Sequence, residues 1–206
     1  MTEHRSSPLS DYVAGIILAG GKNSRMGGQD KAFLRVNGET VFARTLAVLE
    51  QCFRQVVVVS NTPEKYRPFA IEVAGDELPG LGPLGGLHAG LGLVRTPYAF
   101  VAACDMPFLR PEPIRFLMSR LKDQDAIVPC WAGDVEPLHA LYATRLRAPI
   151  VAAVAEGARA IRDLLGQIRV EYVPESVLMR VAGAEESFRN VNTPEEAARF
   201  AVQVEG

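Results

Sequence analysis

Apolar positions along the chain alternate between two periods. Val13 to Leu18 carries no charge and reads as a strand buried on both faces. Val56-Val57-Val58-Val59 and Tyr98 to Ala103 repeat that pattern, and Ile71-Glu72-Val73 is a shorter strand ending near Asp76. Between these runs the spacing becomes helical. Phe42, Leu46, Leu49 and Phe53 predict a helix over 41–53, with Thr40 as its N-cap. Leu84, Leu87, Leu91 and Val94 predict another, opened by Pro83. Phe33 to Val36 reads as a short strand closed by an Asn37-Gly38 turn.

The second half continues the alternation. Pro111 and Pro113 open a helix bearing Ile114, Leu117, Met118 and Leu121. Strands are expected at Ala126–Pro129, 137–142 and Arg169–Val173, with a loop or hairpin at 131–135. Helices are expected at 145–154 and 158–165, and a final one is opened by Thr193, Pro194 and Glu196 as a capping box. Strands alternating with helices predict a three-layer α/β/α sandwich on a mainly parallel sheet. No linker or repeat divides the chain, so residues 13–206 are expected to form one domain behind a flexible tail, 1–12.

Composition narrows the class. At 206 residues and 48 % hydrophobic, the chain builds a full core without staples. A net charge of −2 speaks against a nucleic-acid partner. Cys52, Cys104 and Cys130 form no C-x-x-C pair and read as free, buried thiols of a reducing cytosol. No apolar run approaches the ~20 residues of a membrane span, and residues 1–12 hold no secretory h-region.

The chemistry concentrates at Leu18-Ala19-Gly20-Gly21-Lys22-Asn23-Ser24-Arg25-Met26-Gly27-Gly28-Gln29-Asp30-Lys31. Glycines directly after a buried strand let a ligand approach the backbone, and backbone N–H groups with Lys and Arg cradle phosphate. Residues 22–35 carry a net +3 in a chain whose total is −2. Neither the Walker A pattern nor G-x-G-x-x-G is present. Further along, Asp105 follows a buried strand, where an acid calls for a cation or metal; Mg²⁺ takes one or two carboxylates, the rest being water and phosphate. An Asx turn before Pro107 is the plainer reading. Asn61 and Asp76 also end strands. Turn-making explains the first and a solvated loop acid the second. His88 and His139 read as core residues, although His139 would also serve as a base. Arg159 and Arg162 meet an anionic phosphate or form a solvated face.

The run Leu18-Ala19-Gly20-Gly21-x-x-x-Arg25-Met26-Gly27-Gly28-x-Asp30-Lys31 resembles the signature loop of the molybdenum cofactor guanylyltransferases, members of the Rossmann-like nucleotidyltransferases. Gly82-Pro83-Leu84-x-Gly86, Asp105-Met106-Pro107-Phe108, Pro137-Leu138-His139-Ala140-Leu141 and Asn190-x-Asn192-Thr193-Pro194-Glu195 match the same family in order. The double glycine Gly20-Gly21 points to the guanylyl rather than the cytidylyl branch. The resemblance implies GMP transfer from GTP to the terminal phosphate of Mo-molybdopterin in the cytoplasm. It implies Arg25, Lys31 and Asp105 as catalytic residues. Leu18, Ala19, Gly20, Lys31, Asn61, Asp76 and Asp105 bind the nucleotide, Asp105 holds Mg²⁺, and Asn190 and Asn192 shape the substrate side. Transient contacts with molybdenum-insertion proteins and molybdoenzyme chaperones belong to the same expectation, with no membrane or nucleic-acid partner. The rival readings are another nucleotidyltransferase, acting with CTP on molybdopterin or on a sugar phosphate, and a nucleotide-binding module without turnover.

Overall fold

The computed structural model describes residues 8–19, 25, 26, 29–36 and 38–189, with the backbone alone at Pro8, Arg25, Met26, Gln29, Asp30 and Lys31. Gly20, Asn190, Asn192 and the expected terminal helix lie outside these residues. Within the segment expected as a tail, Pro8–Asp11 forms one 3-10 turn, in which Ser10 is buried. The strands in chain order are β1 (Val13–Leu18), β2 (Arg25–Met26), β3 (Gln29–Asp30), β4 (Arg35–Val36), β5 (Glu39–Thr40), β6 (Val56–Val59), β7 (Glu72–Ala74), β8 (Tyr98–Ala103), β9 (Ala126–Trp131), β10 (Asp134–Val135), β11 (His139–Ala143) and β12 (Val170–Val173). The helices are α1 (Val41–Cys52), α2 (Pro83–Leu93), α3 (Pro111–Ser119), α4 (Arg147–Ala155), α5 (Ile161–Leu165), α6 (Glu175–Leu178) and α7 (Ala184–Ser187).

The main sheet runs β10-β9-β11-β8-β1-β6-β7, with β12 also paired to β9. β1 is parallel to β6 and β8, β6 is parallel to β7, and β12 is parallel to β9. β11 runs antiparallel between β8 and β9. Helices α1, α3 and α7 cover one face, while α2 and α4 cover the other. This is a three-layer α/β/α sandwich. The central strands are apolar because they have no solvent face: every residue of β1 is buried.

Local chemistry explains most boundaries. Thr40 Oγ1 accepts the Ala43 N–H at 3.2 Å, capping α1. Pro83 stands in the first turn of α2, whose missing N–H costs nothing there. The glycines of α2 let it lie close on the sheet. A Cβ on Gly90 would come within 2.7 Å of Ile16 Cγ2. At 131–135 the chain makes a hairpin, with Ala132 and Gly133 both at positive φ, as a tight two-residue turn requires. The third strand lies at Glu72–Ala74, one residue later than Ile71 suggests, because it pairs in register with Val57–Val59. The helix expected at 158–165 begins only at Ile161, since Asp163 Oδ2 binds the Arg159 and Ala160 N–H groups as its cap.

One buried polar side chain stands out. His139 opens β11 with no exposed surface, and neither ring nitrogen has a hydrogen-bond partner among the described residues. It lies edge-on to Phe100 at 5.2 Å and against Phe188 at 4.3 Å. Burial drives its pKa down to about 3. In the unfolded chain the ring takes up a proton below about pH 6.5, and in the folded chain it does not until about pH 3. Folding stability therefore falls as pH drops through that window, by about 2 kcal/mol at pH 5. His139→Leu is expected to flatten the stability profile between pH 7 and pH 4 in urea unfolding. A variant profile as steep as the wild type's would show that the acid sensitivity arises elsewhere.

Candidate nucleotide site

In an open sheet of this kind, ligands bind beyond the C-terminal ends of the strands, where the strand order reverses. Here that point lies between β1 and β8. The chain leaves β1 toward α1 and β6 on one side, and β8 lies on the other. The junction is closed by the Cys104 N–H, which donates to the Leu18 carbonyl at 3.1 Å, and by the Ala19 N–H, which donates to Val59 O at 2.9 Å. Leu18 and Ala19 are thus tied into the sheet at the point where the cation-bearing loop begins. Across from them, the turn after β8 carries Asp105, which is partly buried.

Two of the other expected residues meet directly. Asn61 follows β6 and Asp76 follows β7, and Asn61 Oδ1 accepts the Asp76 N–H at 2.9 Å. Asp76 Oδ1 in turn accepts the Leu78 N–H at 2.9 Å. A turn-making role is real for both, yet it also fixes both at the strand-end edge with hydrogen-bonding capacity left over among the described residues: the amide NH₂ of Asn61 and a second carboxylate oxygen on Asp76. Gly85 in the first turn of α2 is part of this arrangement. A Cβ there would meet Asp76 Oδ1 at 2.5 Å and the Leu78 carbonyl at 2.7 Å. Only glycine lets the helix start beneath the Asp76 loop.

Residues 15–172 match the model of the MobA-like NTP transferase domain. The chain belongs to that family. It is 36 % identical over 197 residues to a probable molybdenum cofactor guanylyltransferase of Pelotomaculum thermopropionicum, covering 94 % of each chain. It is 36 % identical over 187 residues to the molybdenum cofactor guanylyltransferase of Desulfosudis oleivorans, covering 90 % of this chain and 93 % of that one. Among solved structures it is similar to the molybdopterin-guanine dinucleotide biosynthesis protein A of Archaeoglobus fulgidus, with a TM-score of 0.77 and 27 % identity over 93 % of this chain and 98 % of that one.

In this NTP transferase the crevice gathers Leu18, Ala19, Asn61, Asp76 and Asp105 at one sheet edge. The backbone of Arg25 and Lys31 lies in the short β2–β3 hairpin and the 3-10 turn after it, with Arg25 opposite Asp30. Arg159 and Arg162 resolve toward structural work. Arg159 donates to the Val154 and Ala158 carbonyls, and Arg162 pairs with Asp134 at 2.5 Å. His88 is buried in α2. Burial and the nearby Arg147 lower its pKa, and its Nδ1 stands 3.7 Å from Glu77, beyond hydrogen-bond distance. Of the three free thiols, Cys52 and Cys104 are buried as expected, while Cys130 is only half-buried. Strong ion pairing sits at the opposite sheet edge. There, burial opposes ionisation of Asp125, but the Arg169 N–H and the Arg145 guanidinium outweigh it and hold the carboxyl below its ordinary range. That network ties β9, β11 and β12 together away from the crevice.

Sequence reasoning missed how the Asp105 turn is held. Thr45 of α1 is fully buried, and its hydroxyl donates to the Met106 carbonyl at 3.3 Å. Arg44 Nε donates to the Pro107 carbonyl at 3.3 Å. At the far end of the turn, the Arg110 N–H donates to Ser187 Oγ of α7 at 3.1 Å. The missed signal was a lone threonine on the apolar stripe of α1, where a hydroxyl needs a partner. Thr45→Val keeps the shape and removes one of the two donors to the Met106 carbonyl, leaving the Leu109 N–H at 3.3 Å. It is expected to cost about 1–2 kcal/mol and to speed amide exchange across residues 104–109, with Thr45→Ser close to wild type. Unchanged exchange in Thr45→Val would show that the turn holds without this bond.

Proposed function

We propose that the protein transfers GMP from GTP to the terminal phosphate of Mo-molybdopterin in the cytoplasm, releasing pyrophosphate and the guanine dinucleotide form of the cofactor. The observation that carries this reading is that the turn bearing Asp105 is bonded, through the Cys104 N–H, to the Leu18 end of β1 at the switch point, where the segment with a net +3 charge begins. The names of the relatives supply the base and the acceptor. No helix among the described residues is long and apolar enough to cross a membrane.

The acceptor is already a phosphate anion, so the reaction needs no strong base. This agrees with His139, which burial keeps neutral and Phe188 covers. The protein must instead bring anions together and stabilise charge on the α-phosphate and the departing pyrophosphate. Arg25 and Lys31 serve the triphosphate. Leu18, Ala19, Gly20, Asn61 and Asp76 hold the nucleoside, and Asn190 and Asn192 shape the acceptor side. Among the described residues no three His, Cys, Asp or Glu side chains gather as a metal cage. A lone hard carboxylate fits Mg²⁺, which takes its remaining ligands from water and phosphate. Bound by Asp105, Mg²⁺ would supply charge neutralisation at the phosphate oxygens.

Asp105→Ala is expected to fold normally and to lose about 10²–10³ in rate in a pyrophosphate-release assay with Mg²⁺. Lys31→Ala is expected to lower kcat/KM for GTP by more than about tenfold. Full activity in folded Asp105→Ala would remove it from the metal site, and an unchanged kcat/KM in Lys31→Ala would remove the lysine from the triphosphate.

A further inference from the structure

The nucleotide residues Asn61 and Asp76 end β6 and β7, on one side of Asp105, while β11 and β9 lie on the other. With the nucleoside on the β6–β7 side, the half of the edge left for the acceptor lies over β11 and β9, and there the fold offers an aromatic stack. Trp131, the last residue of β9, lies on Phe188 with ring centroids 4.7 Å apart and planes 17° apart. Phe188 is 6 % exposed and rests on His139, whereas Trp131 is only half-buried and is the outer member. Ile127 stands opposite Leu141, so alternate residues 127, 129 and 131 share the face that carries His139. β9 is two strands from β8, a separation of about 10 Å. That suits a fused ring carrying its phosphate on a short arm.

We propose that Trp131, backed by Phe188, is the platform on which the fused heteroaromatic ring of the acceptor stacks. The inference rests on the pterin-transfer reading above. It assigns Trp131 to acceptor selectivity and gives it no part in holding the nucleotide. His139, buried and without a hydrogen-bond partner among the described residues, packs under Phe188 with the rings 30° apart and backs the stack from below.

The test is calorimetry on the full chain with two probes, GTP with Mg²⁺ and a pterin bearing a phosphomethyl arm. Trp131→Ala is expected to weaken the pterin phosphate by roughly tenfold, the range in which a base stacks on an aromatic side chain. It should leave the Kd for GTP unchanged, and Trp131→Tyr should stay near wild type for both. Wild-type pterin affinity in Trp131→Ala, or equal loss of pterin and GTP binding, overturns the inference. Trp131 is the sole tryptophan, so wild-type emission reads the contact without any substitution. Quenching by pterin phosphate with the calorimetric Kd is expected, and unaltered emission overturns the inference. A wild type that transfers GMP to molybdopterin without binding the pterin probe also overturns it, whereas absence of any transfer refutes the proposed function instead.

Discussion

The hydrogen bond from the Cys104 N–H to the Leu18 carbonyl marks the constraint on which the site depends. Parallel strands must all end at the same sheet edge, and the strand order reverses between β1 and β8. The segments that leave β1 and β8 therefore start side by side there. One leads into the glycine- and cation-bearing loop, and the other carries Asp105. Everything else in the crevice is arranged around that pairing. β6 and β7 bring Asn61 and Asp76 to the same edge, and α2 starts beneath them because Gly85 leaves room.

The layers then hold the turns rather than supply chemistry. α1 reaches the Asp105 turn through Thr45 and Arg44, and α7 reaches its far end through Ser187. Asp105 divides the edge into two halves. On the β6–β7 side are the carboxylate and amide of Asp76 and Asn61, and on the β11–β9 side are Phe188, His139 and Trp131. A transferase with two unlike substrates needs two such unlike halves. The antiparallel β11 widens the sheet so that the second half exists at all.

Strands buried on both faces were legible because nothing polar interrupts them. β1, β6 and β8 fall where their apolar runs do, as does the capped start of α1. Edges were harder. β7 shifts by one residue to meet its partner's register, and α5 starts late because Asp163 caps backbone groups, which apolar spacing does not record. The four-residue helices α6 and α7 are too short to show a period. The places of Asn61, Asp76 and Asp105 just after strands were legible, while the roles proposed for them came from the family resemblance. Thr45 and the Trp131–Phe188 stack were not, because each acts through a partner far along the chain, and Gly85 was not, because its need shows only once the Asp76 loop folds over the start of α2. Membership of the MobA-like NTP transferases was legible from the glycine loop together with four further motifs in order, which no single turn would justify.

The central claim is that this edge selects GTP. Calorimetric titration of the wild-type protein with GTP, CTP, ATP and UTP, each with Mg²⁺, tests it most directly. The account predicts clear preference for GTP, by at least about tenfold, as one lost base-specific hydrogen-bond set commonly costs. Preference for CTP, or equal affinity for all four, would contradict it.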